Sequence, residues 1–298
     1  MLPQPLFFIM KKIDTLVDDI YNLFTDKTTV TKADLELPAK QVSKAITKHI
    51  VDRLLESKKP KRKRTLSMSQ IGKPLRQLWY NLKDFPISEK PLPYNQIKFL
   101  YGNILEELLL FLSRAAGHSV TEEQKKVELN GVRGHKDCRI DGVTVDVKSA
   151  SSYAFKKFES NTVGQDDPFG YISQLSGYAQ AEGDKEAAFL AIDKQNGKIA
   201  LSPLHEMEFD NVSQRIEKIN TALESDTPPE RCYEDVPEGK TGNRKLSIGC
   251  SYCPHKFYCW SDINDGRGLR TFLYANGPRF FTRIVRQPNV EERNEKEI

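Results

Sequence analysis

The chain has 298 residues, of which 38% are hydrophobic and 29% are charged, and its net charge is +4. This length allows a substantial core, so we expect one domain with appendages rather than two equal domains, and the modest positive charge permits a polyanionic partner without requiring one. The apolar run at residues 6–10 is too short to span a membrane, and its lysines follow it, which is the wrong order for a signal peptide. We therefore expect a cytoplasmic protein, in the host cytoplasm if it is viral.

Residues 11–57 show the hydrophobic spacing of two amphipathic helices. The apolar stripe of the first helix consists of Ile13, Leu16, Val17, Ile20, Leu23 and Phe24. A dense basic run follows at residues 57–65 and has two interpretations, a solvated connector or an arm that follows the phosphates of DNA. We assign residues 1–65 to a helical N-terminal extension with a basic linker.

Residues 66–117 are predicted to form further helices, which end at Gly117. The segment at 101–112 is apolar on nearly every side, yet it contains Glu106, one turn after Gly102. A glutamate in such a helix usually lies on the exposed strip. Alternatively, the absent side chain at Gly102 leaves room for an ion beside the Glu106 carboxylate. Glu107 is the competing candidate for that role.

Residues 134–148 are predicted to form a β-hairpin around an Asp141-Gly142 turn, because both turn residues tolerate positive φ and the flanking runs alternate apolar and polar residues. One largely apolar face then pairs Ile140 with Val143, Cys138 with Val145, and Lys136 with Val147. The other face pairs Arg139 with Thr144, Asp137 with Asp146, and His135 with Lys148. Directly opposed carboxylates, about 4.5–5.5 Å apart at Cβ, repel each other. The pattern therefore indicates either a cation bound between the two aspartates or an idle, solvated surface hairpin.

The stretch after the hairpin is predicted to be helical to about residue 183. Within it, Gln174 and Tyr178 are four residues apart, so they share one helical face. Two strands are predicted at residues 186–204 around an Asn196-Gly197 turn. Residues 206–224 are predicted to be helical again.

The five cysteines fall into two groups. Cys138 lies on the apolar face of the predicted hairpin, where we expect a buried, inert thiol. The other four come late in the chain, where Cys250, Cys253 and Cys259 form a C-x2-C-x5-C run after Cys232. Without a secretory signal, this spacing favours a bound metal over disulfide bonds.

The Gly-x-x-Asp and Asp-x-Lys-Ser motifs of the hairpin resemble the core of the PD-(D/E)XK nuclease superfamily, in particular its RecB-like exonuclease branch. The resemblance covers roughly residues 66–260. It implies an α/β (α+β) fold with a restriction-endonuclease-like core, in which a mixed central sheet is flanked by helices. It also implies that Mg²⁺ or Mn²⁺ is bound by the carboxylates of Glu106, Asp137 and Asp146 and by the backbone carbonyl of Val147.

The same resemblance implies roles for three further residues. Lys148 orients the attacking water, and positioning is a safer role than that of a base because the neighbouring carboxylates raise its pKa. Gln174 and Tyr178 look like the family's Gln-x-x-x-Tyr element, which contacts DNA near the scissile phosphate.

The late cysteine run resembles the C-terminal triplet of RecB-like nucleases that carry a [4Fe-4S] cluster, among them AddB and the CRISPR-associated RecB-like exonucleases. Those relatives take their first cysteine from upstream of the nuclease core, whereas the corresponding residues here, 69–80, contain none. The expected ligands are therefore Cys232, Cys250, Cys253 and Cys259. We expect a structural [4Fe-4S] cluster, with Zn²⁺ as the alternative and His255 as an alternative ligand to Cys232.

We accordingly assign residues 66–225 to a nuclease core, 226–275 to a metal-stapled cysteine segment and 276–298 to a tail that is disordered from Pro288. The predicted function is a metal-dependent DNA nuclease, and the resemblance favours an exonuclease of recombination, repair or viral DNA metabolism. The expected partner is DNA, joined by further copies of the chain or by replication and recombination proteins, and no membrane is involved. Two alternatives remain: a catalytically inactive nucleic-acid-binding or assembly protein with a nuclease-like fold, and an interaction module in which only the cysteines matter.

Overall fold

The computed structural model of the protein describes residues 11–25, 28–55, 64–87 and 93–293. The helices are α1 (Leu16–Asn22), α2 (Lys32–Leu55), α3 (Leu75–Leu82), α4 (Pro93–Ala115), α5 (Ser152–Glu159), α6 (Tyr171–Glu182), α7 (Val212–Glu224), α8 (Ile248–Ser251), α9 (Lys256–Cys259) and α10 (Ile263–Gly266). The strands are β1 (Val120–Thr121), β2 (Lys126–Leu129), β3 (Val132–His135), β4 (Cys138–Ile140), β5 (Val143–Ala150), β6 (Glu186–Asp193), β7 (Ile199–His205), β8 (Val236–Pro237), β9 (Arg244–Lys245), β10 (Arg270–Tyr274), β11 (Gly277–Arg283) and β12 (Glu292–Arg293).

Residue contacts divide the chain into two compact units. The first unit comprises Met1–Lys61, Ser67–Gly72 and Leu92–Gln214, and the second comprises Arg62–Leu66, Lys73–Pro91 and Arg215–Ile298. The division falls within α7, between Gln214 and Arg215.

The first unit is built on a five-stranded sheet in the order β1-β4-β5-β6-β7. Strands β5 and β6 pair in parallel and the other neighbours pair antiparallel, so the sheet is mixed. A separate two-stranded ribbon, β2-β3, precedes β4. The predicted α/β fold, with a mixed central sheet flanked by helices, is confirmed.

Alternation along β5 and β6 gives each face of the sheet its own apolar cluster. One face carries Val145, Val147 and Leu190, which pack with residues of α1 and α4. The other face carries Phe189, which packs with α5 and α6. Since Ile13, Leu16 and Ile20 belong to the first cluster, residues 13–20 contribute to this core, whereas the sequence pattern places them in an extension.

The β4–β5 hairpin has the predicted register in its three inner pairs, Cys138 with Val145, Arg139 with Thr144 and Ile140 with Val143. Its turn residues Asp141 and Gly142 have φ of 50° and 88°, as expected of this turn. The outer pairs differ from the prediction because the strand is interrupted between β3 and β4. His135 belongs to β3 and pairs with Lys126 rather than Lys148.

Lys136 also departs from the predicted hairpin. We expected it on the apolar face opposite Val147, but its fully buried ammonium contacts Glu122 and Glu182 instead. A buried cation needs a paired anion, and an aliphatic surface would leave it without one. The chain therefore turns at Lys136 and carries Asp137 beyond the end of β4.

The second unit contains a five-stranded antiparallel sheet in the order β12-β10-β11-β9-β8. Its core includes Cys250, Phe257, Trp260 and Phe280. Strand β11 pairs with β10 over five residue pairs. Residues 277–283, which we assigned to a tail, thus form a central strand, and Glu292–Arg293, in the stretch expected to be disordered, pair with β10. Cys250 thus belongs to an apolar core and Cys259 packs against it, so metal is not the sole support of this segment.

Within the described ranges, no helix combines the length and the apolar character needed to cross a membrane.

Candidate functional site

The two aspartates of the hairpin lie beside each other at the end of β4. Asp137 immediately precedes this strand, and its Oδ2 accepts the backbone N–H of Val147 at 2.8 Å. Asp146 lies within β5 and is completely buried. It is in register with Phe189 of β6, so it projects toward the face covered by α6.

Two neighbours hold the Asp146 side chain. Gln174 Nε2 on α6 donates to its Oδ1 at 3.3 Å, and the Lys148 ammonium pairs with its Oδ2. Gln174 also donates to the hydroxyl of Tyr178 at 3.2 Å. Tyr178 is only 2% exposed, so in this structure it supports Gln174 and does not face solvent as a DNA contact would.

Helix α4 separates the two glutamate candidates. The Glu107 carboxylate is buried and lies 3.0 Å from His49 Nε2 of α2. Glu106 instead interacts electrostatically with Asp137 and Asp146. The geometry therefore places Glu106, and not Glu107, with the aspartates. A Cβ added at Gly102 would lie 3.4 Å from the Ser149 hydroxyl of β5. The space beside Gly102 is therefore occupied by β5.

Gln124 is a member of this site that the sequence did not indicate. Its Nε2 donates to Glu106 Oε1 at 3.1 Å, and its side chain also hydrogen-bonds to Asp137. Its backbone N–H donates to the Asp137 carbonyl at 2.9 Å. One amide thus joins two of the carboxylates. Gln124 adopts a positive φ of 52° in the loop before β2, and no local sequence pattern marks it.

The pKa values of the three acids are all raised. Burial and the charges of Asp137, Glu107 and Asp146 raise the pKa of Glu106 to about 9. Burial and the Asp146 charge raise the pKa of Asp137 to about 7, although Lys148 opposes this. Burial also raises the pKa of Asp146. Carboxylates that raise one another's pKa in this way favour either shared protons or a bound cation.

Lys148 is the cation within this group of acids. Burial alone would lower its pKa, but the charges of Asp146 and Asp137 outweigh burial and raise the pKa above its usual range. Its ammonium lies 4.7 Å from the centre of the Tyr171 ring. Lys148 therefore remains protonated near neutral pH and can donate hydrogen bonds but cannot take up a proton.

The donor chemistry of the acidic site fits a hard divalent cation, since Glu106, Asp137 and Asp146 supply carboxylate oxygens. Val147 offers a further oxygen: its N–H points to Asp137, and within a strand the C=O of a residue points to the same side as its N–H. Its carbonyl therefore points to the same side of β5 as Asp137, just before the start of β4. In the described parts of the chain, however, no three His, Cys, Asp or Glu side chains are arranged closely enough to bind one metal ion.

An ion-pair network borders the acidic site. The buried Lys136 ammonium pairs with Glu122 and with Glu182 Oε2, the latter at 2.9 Å. Lys125 pairs with the same two glutamates, at 3.1 and 3.0 Å. Because Lys136 directly precedes Asp137, this network fixes the backbone at the point where the chain leaves β3.

The four late cysteines line one small cavity of about 20 Å³ in the second unit. We call them the thiol cluster: Cys232, Cys250, Cys253 and Cys259. All are free thiols. Burial raises the pKa of Cys253 to about 11 and also raises that of Cys250 and Cys232. Cys138 is the separate, buried thiol expected on the hairpin.

Helix α3 contacts this cluster at its N-terminus. The backbone N–H groups of Arg76 and Gln77 hydrogen-bond to Cys232. The Arg76 guanidinium donates from Nε to Cys259 Sγ at 3.1 Å. Lys256 lines the same cavity. Hydrogen-bond donors and cations of this kind favour thiolates, so the chemistry of the cluster fits a thiolate-bound metal. Among the described residues, however, no three cysteine side chains are close enough together to bind one ion.

His255 is buried and stacks on Tyr80, with ring centroids 5.8 Å apart. Burial lowers its pKa to about 4. It is not among the residues that line the thiol cavity. The structure thus brings Cys232 together with the other three cysteines and leaves His255 outside.

Scans of protein-family models and of curated proteins find no match to this chain. Among solved structures, the chain is similar to SSO0001, at 14% identity and a TM-score of 0.41 over 73% of this chain and 93% of that one. It is also similar to a phage-related exonuclease from Haemophilus somnus 129PT, at 15% identity and a TM-score of 0.39 over 54% and 92%. The third is an alkaline exonuclease from Laribacter hongkongensis, at 14% identity and a TM-score of 0.32 over 52% and 91%.

Proposed function

We propose that the chain is a divalent-metal-dependent deoxyribonuclease whose acidic site hydrolyses phosphodiester bonds, most simply as an exonuclease. The observation that carries this proposal is the pairing of the Lys148 ammonium with buried Asp146 beside Asp137, with Glu106 linked to Asp137 through the Gln124 amide. Buried acids that raise one another's pKa stabilise a fold poorly, whereas a metal-dependent hydrolase requires them.

The residues of the acidic site have two roles, metal binding and hydrogen-bond donation. Glu106, Asp137, Asp146 and the Val147 carbonyl would hold Mg²⁺ or Mn²⁺. When bound, such an ion neutralises charge that develops on the phosphate and acidifies water. Lys148, protonated and held against Asp146, donates to the attacking water or to a phosphate oxygen.

Gln174 supports this arrangement from α6, because it holds Asp146 Oδ1 and is itself held by Tyr178. Its amide is half-buried and can exchange one of these bonds for a strand that enters the site. Tyr178 acts through Gln174, since the ring itself is covered.

Degradation of an end-labelled DNA duplex with and without Mg²⁺ tests the proposal. We expect Mg²⁺-dependent cleavage by the unsubstituted chain and loss of cleavage in Asp146→Ala and Lys148→Ala, with circular dichroism and DNA binding retained. Lys126→Ala is the matched control, because Lys126 is an exposed lysine of β2 outside the site. Full activity in both site variants would remove the basis for the assignment.

The same assay separates the alternatives. A catalytically inactive nucleic-acid-binding protein would bind the duplex and leave it intact at every metal concentration. Linear and circular substrates, and duplexes blocked at the 5′ or 3′ end, distinguish exonuclease from endonuclease and give the polarity.

We further propose that the thiol cluster holds a [4Fe-4S] cluster, with Zn²⁺ as the alternative. Support comes from the four cysteines around one cavity and the N–H donors of Arg76 and Gln77 directed at them. Anaerobic purification followed by metal analysis and an absorption spectrum decides between the two. A brown protein with a broad visible band indicates iron, and a colourless one with stoichiometric zinc indicates the alternative.

A further inference from the structure

A cavity of about 210 Å³ opens beside Lys148 in the first unit and has no role in the steps described above. Its apolar wall is formed by Phe158, Phe169 and Tyr171. Pockets for drug-sized ligands are larger, about 300–1,000 Å³. The cavity therefore suits a single flat ring system.

The aromatic wall is a fixed platform. Phe169 is 60% exposed, and its ring stacks on Tyr171 with centroids 5.4 Å apart and planes 25° from parallel. Gly170 between them has φ of 75° and packs so closely on Gly72 that an added Cβ would lie 2.3 Å from its backbone. This contact and the stacking hold the Phe169 ring in place, with much of it open to solvent.

The cavity also carries charge. Lys148, Lys157 and Lys194 line it, together with Asp166 and Asp167. Lys157 pairs with Asp166, and Asp167 Oδ2 accepts the backbone N–H of Ile172 at 2.8 Å. Lys194 is exposed at the rim. A ligand that combines a flat ring with an anionic group matches an aromatic wall next to Lys148 and Lys194.

We propose that this cavity binds the nucleobase of the terminal nucleotide of a DNA strand, stacked on Phe169, while its phosphate reaches Lys148. The proposal rests on the proposed function, because it takes Lys148 as the residue that meets the scissile phosphate. A base can enter only after it leaves the duplex stack, so the substrate class is a single-stranded or frayed DNA end. Stacking accepts any base, because every base presents a flat π face.

The test uses a DNA strand with 2-aminopurine as its terminal base, bound to Asp146→Asn chain in Mg²⁺ so that cleavage does not interfere. We expect the fluorescence to be quenched on binding. In this background Phe169→Ala should abolish the quenching and weaken binding about 5- to 150-fold, the contribution of one stacked base. Phe169→Leu should do the same, because it keeps the bulk but not the flat ring, and Phe169→Tyr should retain both properties.

Two controls make the result specific. Phe24→Ala removes a similarly exposed ring, 74% exposed, that does not line the cavity, and it should change neither quenching nor affinity. A strand with an abasic terminal nucleotide should bind as weakly as in Phe169→Ala, and combining the two changes should give no further loss.

Unchanged quenching and affinity in Phe169→Ala would overturn the subsite, whether or not the chain degrades DNA. Conversely, loss of quenching in Phe169→Ala with no Mg²⁺-dependent degradation by the unsubstituted chain would uphold the base-binding cavity and overturn the nuclease proposal. The two failures are therefore distinguishable.

Discussion

Arg76 Nε donates a hydrogen bond to Cys259 Sγ at 3.1 Å, between residues 183 positions apart in the chain. The same arginine donates to the Pro229 carbonyl, and its backbone N–H, with that of Gln77, reaches Cys232. These N–H···S hydrogen bonds from α3 connect a segment far upstream in the chain to the thiol cluster.

We predict that Arg76→Met weakens metal retention by the thiol cluster about 10- to 100-fold, the usual effect of removing a hydrogen-bond partner of a metal ligand. The substitution keeps a long apolar stem and removes the donors to Cys259 and Pro229. Metal content after purification and the rate of metal loss to a chelator measure the effect.

Lys83→Met is the matched control, because it removes a cation at the C-terminal end of α3 whose ammonium pairs with Asp226, not with a thiol. It should leave metal content unchanged. Equal metal retention in both variants would mean that the Arg76 side chain contributes nothing to the site.

The positions of Glu106 and Glu107 predict opposite outcomes for two conservative changes. Glu106→Gln should lower kcat by more than the ~10–100-fold that loss of a supporting partner costs, because it removes a carboxylate beside Asp137. Glu107→Gln should leave kcat within a factor of a few and lower the free energy of unfolding by about 1 kcal/mol, since it weakens the contact with His49 and removes no carboxylate beside Asp137. The reverse pattern in nuclease assays and denaturant titrations would make Glu107 the functional residue.

Gln124 should act as a positioning residue for the acidic site. Gln124→Ala is expected to lower activity about 10- to 100-fold and to raise the Mg²⁺ concentration needed for half-maximal rate, because Glu106 and Asp137 lose their shared donor. Steady-state rates across a Mg²⁺ titration measure both effects. Gln165→Ala, at an exposed glutamine, should change neither. A loss of rate that is the same at every Mg²⁺ concentration would contradict a role in holding the acids.

Local sequence rules predicted the inner part of the hairpin correctly. An Asp-Gly turn and a period of two residues fix the register, because slipping by one residue would expose Cys138 and Val145. They failed at Lys136, where a buried ammonium meets Glu182, 46 positions later. The Asn130-Gly131 turn, where both residues have positive φ, closes the β2–β3 ribbon and has the sequence of a hairpin turn.

The hairpin pattern and the family resemblance pointed to Asp137, Asp146 and Glu106 as candidates, but neither indicated the side chains that contact them. Gln124 and Glu106 are 18 residues apart and meet through packing of α4 beside the loop before β2. The sheet of the second unit was missed although Phe272 and Phe280 flank an Asn276-Gly277 turn signal. A hydrophobic run of five to seven residues does not by periodicity alone distinguish a strand from a buried helix segment.

Acid should remove the stabilising effect of the network around Lys136. Hydrogen bonds from Lys136 and Lys125 lower the pKa of Glu122 to about 2, and they lower the pKa of Glu182 although burial opposes them. A carboxylate with a lowered pKa stabilises the folded state fully above its unfolded value, about 4.3, and loses that contribution as the pH falls toward its folded value.

We therefore predict that Lys136→Met lowers the free energy of unfolding by about 2 kcal/mol at pH 7, below the range for a fully buried pair because Glu122 is partly exposed. The difference from the unsubstituted chain should shrink as the pH falls from about 4.5 to about 2. Circular dichroism must follow the unfolding, because both tryptophans, Trp79 and Trp260, lie in the second unit and do not report on the first. A difference that stays constant over this pH range would show that Lys136 stabilises the fold by packing rather than by its charge.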